Sequence, residues 1–171
     1  MHISSTTFSY CYGKYGAIYK IINASLYDFN STYIGNAGYY GGVVYCKNCY
    51  MYFKQSTFIN NFAAYGGTFY IDGNGMLELE DVTVTSSTAT IQGGLVYGKG
   101  SSDVQTSPLW GKVEISIKTT GIMAVTLTNS KSFQDGGMIY LQDGTLTITD
   151  SAISQGIALG KGGLLYSSGE V

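Results

Sequence analysis

Cys46-Lys47-Asn48-Cys49 is the one Cys-x-x-Cys unit in the chain. Two such units would supply the four thiolates of a zinc site. Here the remaining cysteine is Cys11 and the single histidine is His2, so only half of that ligand set exists. Cys46 and Cys49 therefore read as a disulfide or as two buried thiols, with a metal as the remaining alternative. Three cysteines leave one unpaired if a disulfide forms. Disulfides persist outside the reducing cytosol, so the pairing bears on compartment.

Glu78, Glu80 and Asp81 form the one local cluster of carboxylates that invites attention. Paired carboxylates do acid–base work or bind calcium. Yet Leu77-Glu78-Leu79-Glu80 alternates strictly, which predicts a half-buried strand with both glutamates facing water. Asp72-Gly73-Asn74-Gly75 has the composition of a tight turn and lacks the later ligands of a calcium loop. No catalytic, metal or cofactor-binding residue is assigned, no cofactor is expected, and the chain is read as not an enzyme. Asn23-Ala24-Ser25 and Asn30-Ser31-Thr32 are glycosylation sequons near expected turns, which makes Asn23 and Asn30 candidate glycan acceptors.

These groups need a scaffold, and the scaffold is a repeat. Gly-Gly, two mostly apolar residues and a tyrosine recur at 41–45, 66–70, 93–97, 136–140 and 162–166, with a weaker copy, Tyr15-Gly16-Ala17-Ile18-Tyr19, ahead of them. The tyrosines stand at 19, 45, 70, 97, 140 and 166, so most steps are close to 25 residues. A fixed period in this range signals a solenoid. Each repeat also carries a polar–apolar strand such as Ser56-Thr57-Phe58, and an alternating strand such as Thr145-Leu146-Thr147-Ile148-Thr149. Leu77, Leu79, Ile115, Ile117, Leu146 and Ile148 should face inward.

Three short strands per repeat, separated by turns, predict an all-β, right-handed parallel β-helix of about six coils. Ile18, Val44, Phe69, Val96, Ile139 and Leu165 are expected to form an inward column. The repeated tyrosines, one step on, are expected to point outward as an aromatic ladder; the inward assignment is the rival. Tyr45, Tyr70, Tyr97 and Tyr140 thereby become candidate partner or ligand contacts. The long step from Tyr97 to Tyr140 holds an inserted loop, 98–111, with the only proline, Pro108, and the only tryptophan, Trp110. Trp110 either folds back on the side of the helix or contacts a ligand or partner.

Composition narrows the function classes. The 171 residues are read as one β-helix segment, 1–171. Net charge is −2 and all nine basic residues are lysine, so the electrostatic footprint of a nucleic-acid binder is missing. No apolar run is long enough to span a membrane, and the first residues do not resemble a signal peptide. Because the first and last residues both read as parts of repeats, the chain is expected to belong to a longer array.

Gly-Gly followed by apolar residues and preceded by Ser56-Thr57-Phe58-Ile59-Asn60-Asn61 resembles the repeats of the chlamydial polymorphic outer-membrane proteins, which carry Gly-Gly-Ala-Ile and Phe-x-x-Asn phrases. Tyr33-Ile34-Gly35-Asn36 nearly matches the second phrase. The pattern is also similar to repeats in large surface proteins of ciliates and other protists. The likeness covers the chain apart from the insertion, although Phe-x-x-Asn is absent before Gly93, Gly136 and Gly162. It implies a pectin-lyase-like β-helix in an extracellular or cell-surface adhesion or scaffold protein, and it carries over no catalytic residue.

Three function classes follow. The first is a structural or adhesive segment that builds a rod, coat or filament, partnered by further coils of the same polypeptide or by abutting subunits. The second is a non-catalytic polysaccharide-binding module whose tyrosine ladder meets glycans. The third is a carbohydrate-active β-helix enzyme with its site outside this segment, since the enzymes of that fold use clustered Asp with Arg, Lys or His. The first is preferred, in an extracellular or cell-surface location.

Overall fold

Strict polar–apolar alternation over three to six residues, broken by Gly, Asn, Asp and Ser, produces many short strands and nothing helical. The computed structural model describes residues 1–100, 113–118 and 125–169. Among these residues every regular element is a strand. The strands fall into four parallel sheets of six. Sheet 1 includes Ser25–Phe29, Tyr50–Lys54 and Gly75–Glu80, and sheet 2 includes Thr32–Ile34, Thr57–Ile59 and Thr83–Thr85. Sheet 3 includes Tyr12–Tyr15, Ala37–Tyr40 and Phe62–Tyr65, and sheet 4 includes Val44–Lys47, Phe69–Asp72 and Val96–Lys99. Each coil visits the four sheets in turn, and about six coils stack into a parallel β-solenoid.

The expectation of three strands per coil is thus corrected to four. The strand that was missed is the one before each glycine pair. Its core-facing position in sheet 3 is occupied by Gly38, Ala63, Ala89 and Ser132, which pair in register or follow one another coil by coil. Small residues give no hydrophobic alternation, so this strand is silent to a periodicity test. They are small because the glycine corner folds back over them: a Cβ on Gly38 would strike the carbonyl oxygen of Gly41.

Every corner in the second, third and fourth coils contains one residue in the left-handed region. In the third coil these are Asn48, Gln55, Asn60 and Gly66, with φ of 50°, 55°, 54° and 62°. Asn tolerates that conformation better than most residues. At the corner between sheets 3 and 4 only glycine occurs, at 16, 41, 66, 93, 136 and 162. Positive φ alone does not explain this, because the other corners accept side chains. At Gly66 a Cβ would lie against the backbone of Phe69 and Tyr97.

The core is continuous along the axis. Leu26, Met51, Leu77 and Ile115 form one fully buried column of sheet 1, and Phe53, Leu79 and Ile117 the next. Tyr33 and Phe58 stack at 4.8 Å, and Phe8 stacks on Tyr33 at 5.3 Å. Leu146 packs against this core, whereas Ile148, in the last strand of sheet 1, is partly exposed.

Register corrects the first repeat. Tyr19 pairs with Val44 and Lys20 with Tyr45, so Tyr19 belongs to the inward column and Lys20 holds the ladder position. Tyr19 is buried, and its hydroxyl lies 3.2 Å from that of Tyr33. Ile18 moves out of the column where it was expected and into line with Val43. The inserted loop, with Pro108 and Trp110, lies outside the described residues apart from its first three, 98–100.

Candidate functional site

The outer surface at the glycine corner is built from two tyrosine ladders. On sheet 4, Tyr45, Tyr70, Tyr97, Tyr140 and Tyr166 pair in register. Successive rings stack at 5.4, 5.0, 4.9 and 5.1 Å. On sheet 3, Tyr15, Tyr40 and Tyr65 stack at 5.3 and 5.7 Å. The two ladders meet edge to face across the corner: Tyr15 with Tyr45 at 5.1 Å, Tyr40 with Tyr70 at 4.9 Å, Tyr65 with Tyr97 at 5.4 Å. The corner therefore carries a continuous aromatic seam.

The sheet 4 ladder lies on the outer side of its strands, as the alternation implies, but its rings are half-buried or buried by their neighbours. Tyr45 and Tyr97 are each only 8% exposed. Their faces are covered by the rings above and below, leaving edges outward. The Tyr45 hydroxyl donates to Asp72 at 3.4 Å, and Lys47 lies 3.9 Å from the same carboxylate. Burial, with Asp72 nearby, pushes Tyr45 up to about 12; burial, with neighbouring Tyr140, does the same for Tyr97. The candidate contacts Tyr45, Tyr70, Tyr97 and Tyr140 thus form a self-stacked column rather than a row of free platforms.

Free aromatic faces lie elsewhere, on sheet 3. An open groove of about 780 Å³ is lined by Tyr12, Gly13, Lys14, Ala37, Gly38, Tyr39, Tyr40 and Phe62. Tyr12 is 78% exposed, Tyr39 46% and Phe62 43%. Tyr12, Ala37 and Phe62 are one column in register, so a methyl group stands where a filled ladder would have a ring. None of these groove residues was singled out from the sequence. The available signal was tyrosine immediately before glycine at 15, 40 and 65, a spacing of one coil.

Carboxylates are held by structural partners. Asp28 is fully buried and accepts hydrogen bonds from Ser31 and Ser56, both at 2.7 Å. Glu80 does not face water as expected. It is 5% exposed, accepts from the Tyr52 hydroxyl at 2.6 Å and pairs with Lys54 at 2.7 Å. Its strand alternation is outward, but the tall Tyr52 and Lys54 side chains of the preceding coil close over it. Among the described residues no group of three or more His, Cys, Asp or Glu side chains comes together to hold a metal, and no helix is long and apolar enough to cross a membrane.

Cys46 and Cys49 are joined in a disulfide across the corner from sheet 4 to sheet 1, with Cα atoms 5.7 Å apart, and Cys11 is free. Both sequon asparagines stand exposed at corners in the left-handed region, Asn23 at φ 51° and Asn30 at φ 56°. Each therefore has a backbone reason to be asparagine.

The Phe-x-x-Asn phrase acquires a physical meaning. Phe58 fills the core, and Asn61 is buried at the next corner. The Asn61 side-chain oxygen accepts from the backbone N–H of Asn36 at 3.0 Å and from its side-chain amide at 3.1 Å, while its own amide donates to the Tyr33 carbonyl at 3.1 Å. No protein-family model, curated protein or solved structure matches the chain. The resemblance to polymorphic outer-membrane-protein repeats therefore rests on these short phrases alone.

Proposed function

We propose that the chain is a structural and adhesive segment of an extracellular or cell-surface repeat protein, a rigid rod that contributes to a coat or filament. The observation that carries this reading is the four sheets running through all the coils in parallel register, with side chains stacked in ladders inside and out. Such a stack is stiff along its axis and offers long, regular faces. The solenoid is read as right-handed, because a crossover between parallel strands of one sheet is right-handed in nearly all proteins. Its partners are further coils of the same polypeptide or abutting subunits. Among the described residues Gly144–Ile148 is an edge strand of sheet 1, and its outer backbone groups suit pairing with such a coil.

The outside location is supported by the Cys46–Cys49 disulfide and by the exposure of Asn23 and Asn30. The test is the intact mass of native material before and after enzymatic deglycosylation, with thiol labelling. Sugar on Asn23 or Asn30 together with one reactive thiol supports the reading. Bare asparagines with three reactive thiols would overturn the extracellular assignment.

A further inference from the structure

We propose that the sheet 3 groove is a docking site for a proline-rich peptide in the polyproline II conformation, carrying acidic residues beside its prolines. Three observations lead there. The first is the interrupted ladder. In the Tyr15/Tyr40/Tyr65 column each of the first three coils supplies a ring, and these rings stack on one another; Gln92 follows in the fourth coil. In the neighbouring column Ala37 stands between Tyr12 and Phe62, and Thr88 follows, so two exposed rings flank a notch.

The second is spacing. Tyr12 and Phe62 are two coils apart, roughly 10 Å at the usual strand separation. One turn of polyproline II, three residues at 3.1 Å each, advances roughly 9 Å. A strand laid along the rod axis therefore presents one pyrrolidine face per turn to successive aromatic platforms. Aromatic-lined grooves are the common means of recognising this conformation, whose ordering cost is low.

The third is hydrogen-bonding chemistry. The groove's polar side-chain groups are tyrosine phenols and the ammonium of Lys14, and no carboxylate or amide side chain lines it. Proline-rich backbone displays carbonyl acceptors and lacks N–H donors, so it complements a donor-rich wall. Lys14 and Lys20 sit over the Tyr15 ring, 5.5 and 5.0 Å from its centroid, and neither has an ion-pair partner among the described residues. They favour carboxylates on the peptide. Pro108 is the only proline among these 171 residues, so the occupant lies outside them.

The experiment is calorimetric titration of the full chain with a decaproline peptide flanked by glutamates. The controls are the same peptide with alanine for proline, unflanked decaproline, and neutral and uronate tetrasaccharides. Saturable binding of the flanked proline peptide is expected. Tyr12→Ala and Phe62→Ala should each weaken it about tenfold, the loss of one aromatic stacking contact. Ala37→Tyr should abolish binding at unchanged melting temperature, because it fills the notch with the ring that neighbouring columns already carry. Lys14→Gln combined with Lys20→Gln should weaken the flanked peptide and spare the unflanked one. Equal binding of the alanine peptide, an Ala37→Tyr protein that binds as wild type, no saturation by the flanked peptide, or a tetrasaccharide binding in its place would each overturn the proposal. Absence of glycans in the mass measurement would leave this groove unchanged.

Discussion

Gly42 and Gly67 stand one coil apart so closely that a Cβ on Gly42 would collide with the Gly67 carbonyl oxygen, and one on Gly67 with that of Gly94. Gly67 N–H donates to the Gly93 carbonyl at 3.1 Å, and Gly42 N–H to that of Gly66 at 3.3 Å. On its other side a Cβ on Gly67 would meet Thr88 backbone nitrogen and oxygen at 2.7 Å. Backbone cannot yield as a flexible side chain does. Gly67→Ala should therefore destabilise the solenoid by about 3 kcal/mol, at the upper end of ordinary overpacking. A urea midpoint equal to wild type would show that the coils pack more loosely than this. Ala17 holds the equivalent place in the first coil, and the series of second-glycine bonds begins only at Gly42.

Much of this architecture is legible because stacking turns sequence period into spatial register. Leu77, Leu79, Ile115 and Ile117 announce their inward faces by alternation, and the glycine phrases announce the corner. Two parts are hidden. The strand Ala37–Tyr40 has Gly38 at its core-facing position and no apolar alternation, so its sheet escapes the count. Tyr19 mimics the ladder tyrosine but sits one residue early, and only the strand pairing Tyr19 with Val44 reveals it. The groove was illegible for a related reason. Its defining feature is a missing ring at Ala37, and absence at a position has meaning only once the column is known.

Asn61 should be the costliest polar residue to remove. It is buried and serves as acceptor for two donors of Asn36 and as donor to Tyr33. Asn61→Ala strands two donors of Asn36, its backbone N–H and one side-chain amide N–H, away from water. Each orphaned group costs about 1–3 kcal/mol, so a loss of about 3 kcal/mol is expected in urea unfolding. Asn60→Ala, next in sequence but at the exposed-corner position with φ 54°, should cost less, through backbone strain alone. Equal losses from the two variants would contradict the buried ladder.

Thiol counting tests the disulfide. Under denaturing conditions without reductant one cysteine, Cys11, should react, and after reduction all three. The bridge closes a loop only three residues in separation, so its chain-entropy contribution is about 2 kcal/mol at most. Reduction should accordingly lower the urea midpoint modestly and leave the fold intact. Unfolding on reduction alone would mean that the corner at Cys46 carries more of the fold than its packing indicates.

Alkaline pH separates the ladder's hydroxyls from its rings. Burial raises Tyr19, Tyr45 and Tyr97 to about 12, and raises Tyr33 and Tyr70 beyond that; the negative charge of Asp28 adds to the effect at Tyr19 and Tyr33. In the unfolded chain tyrosine ionises near pH 10. The folded state therefore holds these protons more tightly, and their contribution to stability is whole below about pH 10. It falls as the unfolded chain ionises, and is lost as pH rises through about 12. Urea midpoints should be flat from neutral pH to about 10 and then drop steeply, with tyrosinate absorbance from Tyr45, Tyr70 and Tyr97 appearing only together with unfolding. Tyr97→Phe keeps the stacked ring and removes one such proton, so it should flatten the alkaline drop. Tyr97→Ala opens the ladder between Tyr70 and Tyr140, forfeiting two stacks as well as ring burial, and should cost about 3 kcal/mol already at neutral pH. If Tyr97→Phe proved as destabilising at neutral pH as Tyr97→Ala, the hydroxyl rather than the stacked ring would be what the ladder needs.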